Sequence, residues 1–390
     1  MQYRKFGKLD WEVSALGFGA MRLPLIDSKA GNVDEPQSIG MIRYAIDHGV
    51  NYLDTAYPYH SGQSERIVGK ALQNGYRKKM KLATKLLARS VESADDFDRY
   101  FNEQLERLQT DKLDFYLLHG LNARTWSKVR DLGVLDWAEE QMAHGRFDHL
   151  GFSFHDTYDV FRDIVDAYDN WALCQIQFNY IDKDYQAGTR GLEYAAEKGM
   201  AVVVMEPLRG GKLGRPPEQI ANILANEPHQ RTPAEWALQW VWNHPEVSVA
   251  LSGMSTMEQV VENVASAERF SIGMLKGEEI ALIDQIREAY KGLNPIPCTR
   301  CGYCMPCPNN VEIPMILGLY NDAIVYDNLR MGRLRYCGPR GLKQEQRADQ
   351  CAECEECIEA CPQEIPIPEW LRKVHDLLGP EGNTKNAPGL

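Results

Sequence analysis

No long uncharged apolar run occurs in this sequence, and Met1-Gln2-Tyr3-Arg4-Lys5 does not lead into an apolar signal core. Membrane insertion and export are therefore not expected, and a cytoplasmic protein is. Positive charge is in deficit: 43 Lys and Arg face 55 Asp and Glu, for a formal net charge of -12. That balance argues against a nucleic-acid partner, which calls for a basic face. Cysteine is nearly missing from the first three quarters, where Cys174 stands alone, so no disulfide framework braces that part. An internal sequence repeat is missing too. So is a Gly-x-Gly-x-x-Gly turn: Gly17-Phe18-Gly19 does not complete it, which counts against a doubly wound open sheet without removing that alternative.

What is present is an alternation of short apolar runs with longer stretches of helical period. The runs fall near 16–20, 50–53, 81–84, 114–118, 149–153, 174–178, 201–205 and 247–251. Continuous apolar runs suit parallel strands buried on both faces. Between them, Ile39, Ile42, Ala45 and Ile46 give one helical face, and Phe97, Phe101, Leu105 and Leu108 another. Eight strand-helix units predict an α/β protein built as a (β/α)8 TIM barrel, a fold of about 250 residues with its chemistry at the C-terminal strand ends. A ninth amphipathic segment, Glu278 to Tyr290 with Ile280, Leu282, Ile283 and Ile286 on its apolar side, precedes the breaker Gly292-Leu293-Asn294-Pro295-Ile296-Pro297. The expected domains are 1–292 for the barrel, 293–375 for a small appendage and 376–390 for a flexible tail.

Four polar residues fall where the apolar runs end. Asp54 closes Asn51-Tyr52-Leu53 and Tyr59 follows five residues later; Lys85 closes Lys81-Leu82-Ala83-Thr84; His119 closes Phe115-Tyr116-Leu117-Leu118. A phenol with a free pKa of about 10 is a poor acid at neutral pH, and a nearby ammonium lowers it. Asp54 would hold Lys85 charged, and His119 would donate to a carbonyl oxygen. Singly, each is more often a satisfied polar group at a strand end. Together on one rim, they suit protonation of an oxygen that gains negative charge.

The contexts Asp-Thr-Ala-x-x-Tyr, Ala-Thr-Lys and Leu-Leu-His resemble the catalytic tetrad of the aldo-keto reductase family, and the likeness covers roughly residues 1 to 290. It implies NADPH or NADH as cofactor and a small-molecule carbonyl or alcohol as substrate. By resemblance the dinucleotide would meet Gly19, Met21, Ser153, Gln175, Met205, Pro207, Leu208, Gly211, Gly253, Gln259, Glu262 and Asn263. Three departures stand out. Phe154 replaces the Asn usual after Ser153, Met205 replaces a Tyr that stacks on the nicotinamide, and Gly253 and Gln259 replace cations that pair with the 2′-phosphate of NADP. The last change makes NADH a candidate beside NADPH. Trp126, Arg22, Tyr57 and Arg209 are substrate-loop candidates by position.

Nine of the ten cysteines lie in the last quarter. Cys298, Cys301, Cys304 and Cys307-Pro308 form one run; Cys351, Cys354, Cys357 and Cys361-Pro362 form another that matches the bacterial ferredoxin spacing in full. The first run is one residue short before its fourth Cys. Zinc is the alternative metal, although three thiolates at successive two-residue spacings suit a cubane better than a ribbon. Resemblance to two-cluster ferredoxins implies a C-terminal ferredoxin-like domain with two [4Fe-4S] clusters. One would use Cys298, Cys301, Cys304 and Cys361, the other Cys351, Cys354, Cys357 and Cys307. Cys337 and Cys174 remain as buried thiols. The chain is thus expected to be an NAD(P)-linked oxidoreductase whose clusters exchange electrons with a redox partner protein or hold the appendage together. The alternative is a ferredoxin-like electron-transfer or regulatory protein whose barrel binds nucleotide without turnover.

Overall fold

The computed structural model describes residues 1–27, 31–227, 231–298, 300, 302–339 and 341–380. Two compact units emerge: Met1–Arg215 with His229–Ile280, and Pro216–Pro228 with Ala281–Leu390.

The first unit opens with an antiparallel hairpin, β1 (Tyr3–Phe6) and β2 (Leu9–Ser14). The barrel strands are β3 (Leu16–Gly19), β4 (Tyr52–Asp54), β5 (Lys81–Leu86), β6 (Leu113–Leu121), β7 (Phe147–Phe154), β8 (Leu173–Gln177), β9 (Ala201–Met205) and β10 (Val247–Ser252). They pair in parallel and close in the order β10-β3-β4-β5-β6-β7-β8-β9. Each expected run is a strand, because side chains such as those of β9, Ala201–Val204, are buried on both faces. The doubly wound alternative is thereby excluded.

The hairpin escaped the sequence reading. Its alternation is disguised by Arg4, which is buried and donates to the carbonyls of Trp242 at 3.0 Å and His244 at 2.7 Å. Phe6 and Val13 join Tyr52, Phe115, Leu173, Ala201 and Val249 in one apolar cluster inside the barrel. Lys8 N donates to Gly199 O, just before β9 begins, at 2.8 Å. The hairpin therefore plugs the end of the barrel opposite the C-terminal strand ends.

The helices in chain order are α1 (Glu35–Asp47), α2 (Gln63–Ala71), α3 (Asp95–Leu108), α4 (Ala123–Asp131), α5 (Val134–Ala143), α6 (Tyr158–Asp166), α7 (Gly188–Glu197), α8 (Glu218–Ala225), α9 (Pro233–Trp242) and α10 (Met257–Arg269). There follow α11 (Gly277–Leu293), α12 (Ile313–Val325), α13 (Leu329–Cys337), α14 (Glu356–Glu359) and α15 (Ile367–Leu378). On α3, Phe97, Phe101, Leu105 and Leu108 are buried as their spacing requires. On α1 the buried face is Ser38, Met41, Ile42, Ala45 and Ile46, while Ile39 sits at its edge.

The units part at Ile280/Ala281, inside α11, and segment 216–228 belongs to the second unit, whereas the expected boundary lay at 292/293. Ile280 is exposed and leaves the buried stripe to Leu282, Ile283, Ile286 and Tyr290. Pro295 and Pro297 do stop the helix, but its last turns already pack within the second unit. That unit is helical, with no strand among its described residues, and its core gathers Val311, Ile316, Leu317, Tyr336, Ile367 and Val374. The expected tail begins too early: α15 runs through Leu378, so 376–378 are helical, and residues 381–390 lie outside the described residues.

Candidate active site

Asp54 ends β4, Lys85 lies one residue before the end of β5, and His119 stands near the end of β6. Parallel pairing sets Asp54 against Ala83 and Lys85 against Leu117, so all three side chains share the C-terminal rim. Lys85 Nζ donates to Asp54 Oδ1 at 2.5 Å and to the Thr55 carbonyl at 2.7 Å, with the Lys85 side chain fully buried. Gln175 Nε2, from β8, reaches Asp54 Oδ2 at 3.4 Å. Burial opposes the charge of Lys85, but Asp54 and Tyr59 outweigh it and hold the ammonium above its usual range. Asp54 is pushed up by burial, with the ammonium and Gln175 pulling it back.

Tyr59 sits on the loop after β4. A side-chain hydrogen bond joins it to Lys85, whose Nζ is 5.1 Å from its ring centre. Its ring meets that of His119 edge to face at 5.8 Å. Lys85 does lower the phenol pKa, as expected, yet desolvation outweighs it and Tyr59 stands above its ordinary value. His119 is driven well below its own, first by burial and then by the charge of Lys85, so the imidazole is neutral at pH 7. Its Nδ1 is buried without a hydrogen-bond partner. An orphaned polar atom of this kind is costly unless a ligand meets it.

The loop that carries Tyr59 is strained. His60 (φ 51°), Ser61 (φ 55°) and Gly62 (φ 88°) are left-handed in succession, and each non-glycine residue there costs about 1–3 kcal/mol. His60 Nε2 accepts from Leu23 N at 3.0 Å, which ties this loop to the one after β3. Glu206 (φ 57°) and Arg209 (φ 48°), after β9, are strained likewise.

The residues expected at the dinucleotide are dispersed along the same rim. Gly19 is buried, and a Cβ there would lie 3.3 Å from the Ser252 carbonyl oxygen; Met21 is exposed. Ser153 Oγ accepts from Gly120 N at 2.8 Å, which leaves its own proton free to be donated. Met205 is half-buried, Pro207 buried and Leu208 half-buried ahead of the left-handed pair Gly210-Gly211. Gly253 lies under the methylenes of Arg22. Gln259 Oε1 accepts from Ser255 N at 2.8 Å, Glu262 accepts from Thr232 Oγ1, and buried Asn263 donates to Ser252 Oγ at 2.9 Å.

Of the four substrate-loop candidates, two are otherwise engaged. Trp126 is buried against Trp171, with ring centres 6.1 Å apart, and is core. Tyr57 donates its hydroxyl proton to Glu103 Oε2 at 2.9 Å. Arg22 and Arg209 remain at the rim, paired with Glu206 at 3.2 Å and Asp182 at 3.1 Å. Sequence reading missed Arg107 and Glu65, which lie behind Tyr59. The available signal was the i, i+4 pair Glu103 and Arg107 beside the apolar face of Phe97, Phe101, Leu105 and Leu108.

In the second unit the cysteines line two cavities. One of about 150 Å³ is bordered by Cys304, Cys307, Cys351, Cys354 and Cys357; one of about 20 Å³ by Cys298, Cys304 and Cys361. Cys301 lies outside the described residues. Burial pushes the Cys357 thiol up to about 11, with Cys351, Cys354 and Cys307 adding to it. Among the described residues no three Cys, His, Asp or Glu converge on a single ion. In a cubane each thiolate takes a different iron, so the sulfurs stand apart by the width of the cluster, and the thiol-lined cavities fit that arrangement. Cys174 is buried, but Cys337 is only half-buried, its Sγ reaching Arg333 O at 3.4 Å and Leu378 O at 3.5 Å.

A closed parallel barrel with this polar cluster at its C-terminal rim defines the class of (β/α)8-barrel enzymes, whose chemistry sits at that face. The chain belongs to the aldo/keto reductase family, whose model matches residues 15–288, and a 4Fe-4S dicluster domain matches 297–366. Among curated relatives, L-galactose dehydrogenase of Arabidopsis thaliana is 29% identical over 75% of this chain and 96% of its own length. Methylglyoxal reductase YeaE of Escherichia coli is 28% identical over 70% and 94%. Among solved structures, the holo form of aldo-keto reductase AKR11C1 from Bacillus halodurans matches with a TM-score of 0.60 at 27% identity, covering 73% of this chain and 96% of that one. An aldo-keto reductase from Klebsiella pneumoniae in complex with NADPH also matches at 0.60, with 26% identity over 74% and 96%. No helix among the described residues is long and apolar enough to cross a membrane.

Proposed function

We propose that the barrel reduces an aldehyde, ketone or sugar-like carbonyl, with Tyr59 as the proton donor. The carrying observation is the buried chain Asp54–Lys85–Tyr59 beside the unpartnered nitrogen of His119. A phenol held above its ordinary pKa is fully protonated at neutral pH, and Lys85 stabilises the phenolate as the proton leaves. Neutral His119 carries one N–H with which to orient the carbonyl oxygen. Asp54 fixes the ammonium. A bound nicotinamide supplies the hydride; Ser153 and Gln175 are read as the groups that hold its amide. Gly253 and Gln259 offer no cation to a 2′-phosphate, which supports use of NADH beside NADPH. Replacing Tyr59 by Phe is expected to remove most NAD(P)H-dependent carbonyl reduction and leave nucleotide affinity, read by fluorescence titration, nearly unchanged. Full activity in Tyr59→Phe would end this assignment.

The second unit is read as holding two [4Fe-4S] clusters. One takes Cys307, Cys351, Cys354 and Cys357, the other Cys298, Cys301, Cys304 and Cys361. The two thiol-lined cavities support this division. Such clusters move electrons singly, which suits exchange with a redox partner protein. EPR of the anaerobic protein tests it: absence of a reduced-cluster signal with NAD(P)H, dithionite or a reduced ferredoxin would remove the carrier role.

A further inference from the structure

Behind the loop that carries Tyr59 lies a set of charges that the reaction does not use, with Glu65 buried and Arg107 and Glu103 half-buried. Arg107, on α3, is the centre of it. Its Nη1 approaches Glu65 Oε2 at 3.3 Å and the Tyr57 carbonyl at 3.4 Å, and its Nη2 donates to Glu103 Oε1. The guanidinium lies 4.1 Å from the centre of the Tyr57 ring, whose other neighbour is Tyr100, edge to face at 4.9 Å. The Tyr57 hydroxyl is fastened to Glu103. Tyr57 is thus caged on three sides by α3, two residues before Tyr59.

Glu65 extends the set to the strand that carries Lys85. Fully buried on α2, it accepts from Thr84 Oγ1 at 2.6 Å and from Gln104 Nε2 at 2.6 Å. Gln104 Nε2 also donates to the Lys85 carbonyl at 3.0 Å, and its Oε1 accepts from Tyr116 at 2.8 Å. One contiguous set of hydrogen bonds therefore holds the backbone of Lys85 on one side and the backbone of Tyr57 on the other. The left-handed run at 60–62 lies between Tyr59 and α2 and would relax if either end were released; a Cβ on Gly62 would reach the Arg107 guanidinium at 3.4 Å.

We infer that Arg107 is a positioning residue for the reaction: by clamping Tyr57 and Glu65 it holds the strained loop and sets the Tyr59 hydroxyl against Lys85. This rests on Tyr59 being the proton donor. The contacts of Arg107 run to Glu65, Glu103 and Tyr57, so it acts through the loop. A monodentate cation cannot reproduce the fork across two carboxylates and a carbonyl, so lysine should not substitute.

The experiment uses the full-length protein with its clusters, purified anaerobically, and compares Arg107→Met, Arg107→Lys, Tyr57→Leu and Tyr59→Phe. A displacement of about 1 Å at a reacting atom costs roughly a hundredfold in rate, so kcat of Arg107→Met should fall by about that factor, with nucleotide affinity and KM changed less than about threefold. The alkaline limb of its pH–kcat profile should move, because Tyr59 no longer meets Lys85, Asp54 and Glu206 in the same arrangement. A purely structural role would lower the melting temperature and leave that limb in place. Tyr57→Leu keeps Arg107 paired with both carboxylates, so it folds even if Arg107→Met does not, and it should show the same kcat loss. Wild-type kcat and pH profile in a folded Arg107→Met or in Tyr57→Leu would overturn the inference, as would a rise in KM alone, which would make Tyr57 a substrate contact, or full rescue by lysine. If Tyr59→Phe is itself fully active, the proton-donor reading fails; if it is inactive while the Arg107 variants are not, only the positioning role fails.

Discussion

Lys85 is closed off from water and paired with Asp54, and its removal is instructive. Lys85→Met leaves Asp54 buried without its partner, which costs about 3–5 kcal/mol of stability when one member of a buried pair is lost. Asp54→Leu combined with Lys85→Met should recover much of that in urea unfolding and still show no carbonyl reduction. Stability and catalysis then separate at a single pair. The pH dependence follows from the neighbours. Burial raises the Tyr59 phenol, so the reduction rate is expected to stay level from pH 6 to 9 and to fall only as pH rises above about 10, where the donor loses its proton. His119, depressed by burial and by Lys85, adds no limb near its ordinary pKa. In the reverse direction the alkaline dependence inverts, since alcohol oxidation needs the phenolate. An inflection near pH 6.5 in the rate of carbonyl reduction would contradict this.

Helix α2 follows the Tyr59 loop directly and packs on α3, and one glycine permits the approach. A Cβ on Gly69 would lie 2.7 Å from the backbone carbon and oxygen of Leu108, the residue after Arg107. Gly69→Ala should therefore overpack the contact, lowering stability by about 1–3 kcal/mol in urea unfolding. It should also lower kcat, because the backbone that must yield belongs to the helix that clamps Tyr57. At the start of α1, Asp34 Oδ1 accepts from Gln37 N at 3.1 Å, and Pro36 occupies the first turn. Asp34→Ala should cost about 1 kcal/mol and leave kcat untouched, since α1 carries no residue of the rim. The two variants distinguish general weakening from weakening that reaches the site.

Acid sensitivity belongs to the whole molecule. Burial holds His119, His149, His155 and His244 below their ordinary value of 6.5, so the unfolded chain binds protons first as pH falls. Their contribution is complete above pH 6.5 and is lost on the way down through the depressed values, while Asp54 and Glu65, raised by burial, work the other way. The urea midpoint should drop between pH 7.5 and 5.5. The proposal of two cubanes in the second unit predicts about eight irons per chain, and Cys357→Ser should leave about four, measured with sulfide on anaerobic protein. Eight strands, the rim position of Asp54, Lys85 and His119, and the clustered thiols were legible in the sequence, because buried parallel strands, strand-end polar residues and ligand spacing are local patterns. The hairpin was not, since a buried arginine inverted its alternation. Nor could sequence show that Tyr57 and Trp126 are engaged elsewhere, that burial outweighs Lys85 in setting the Tyr59 pKa, or that Arg107 meets Glu65 across two helices. Those outcomes depend on which distant segments exclude water from which groups, and desolvation and long-range pairing exist only once the chain has closed upon itself.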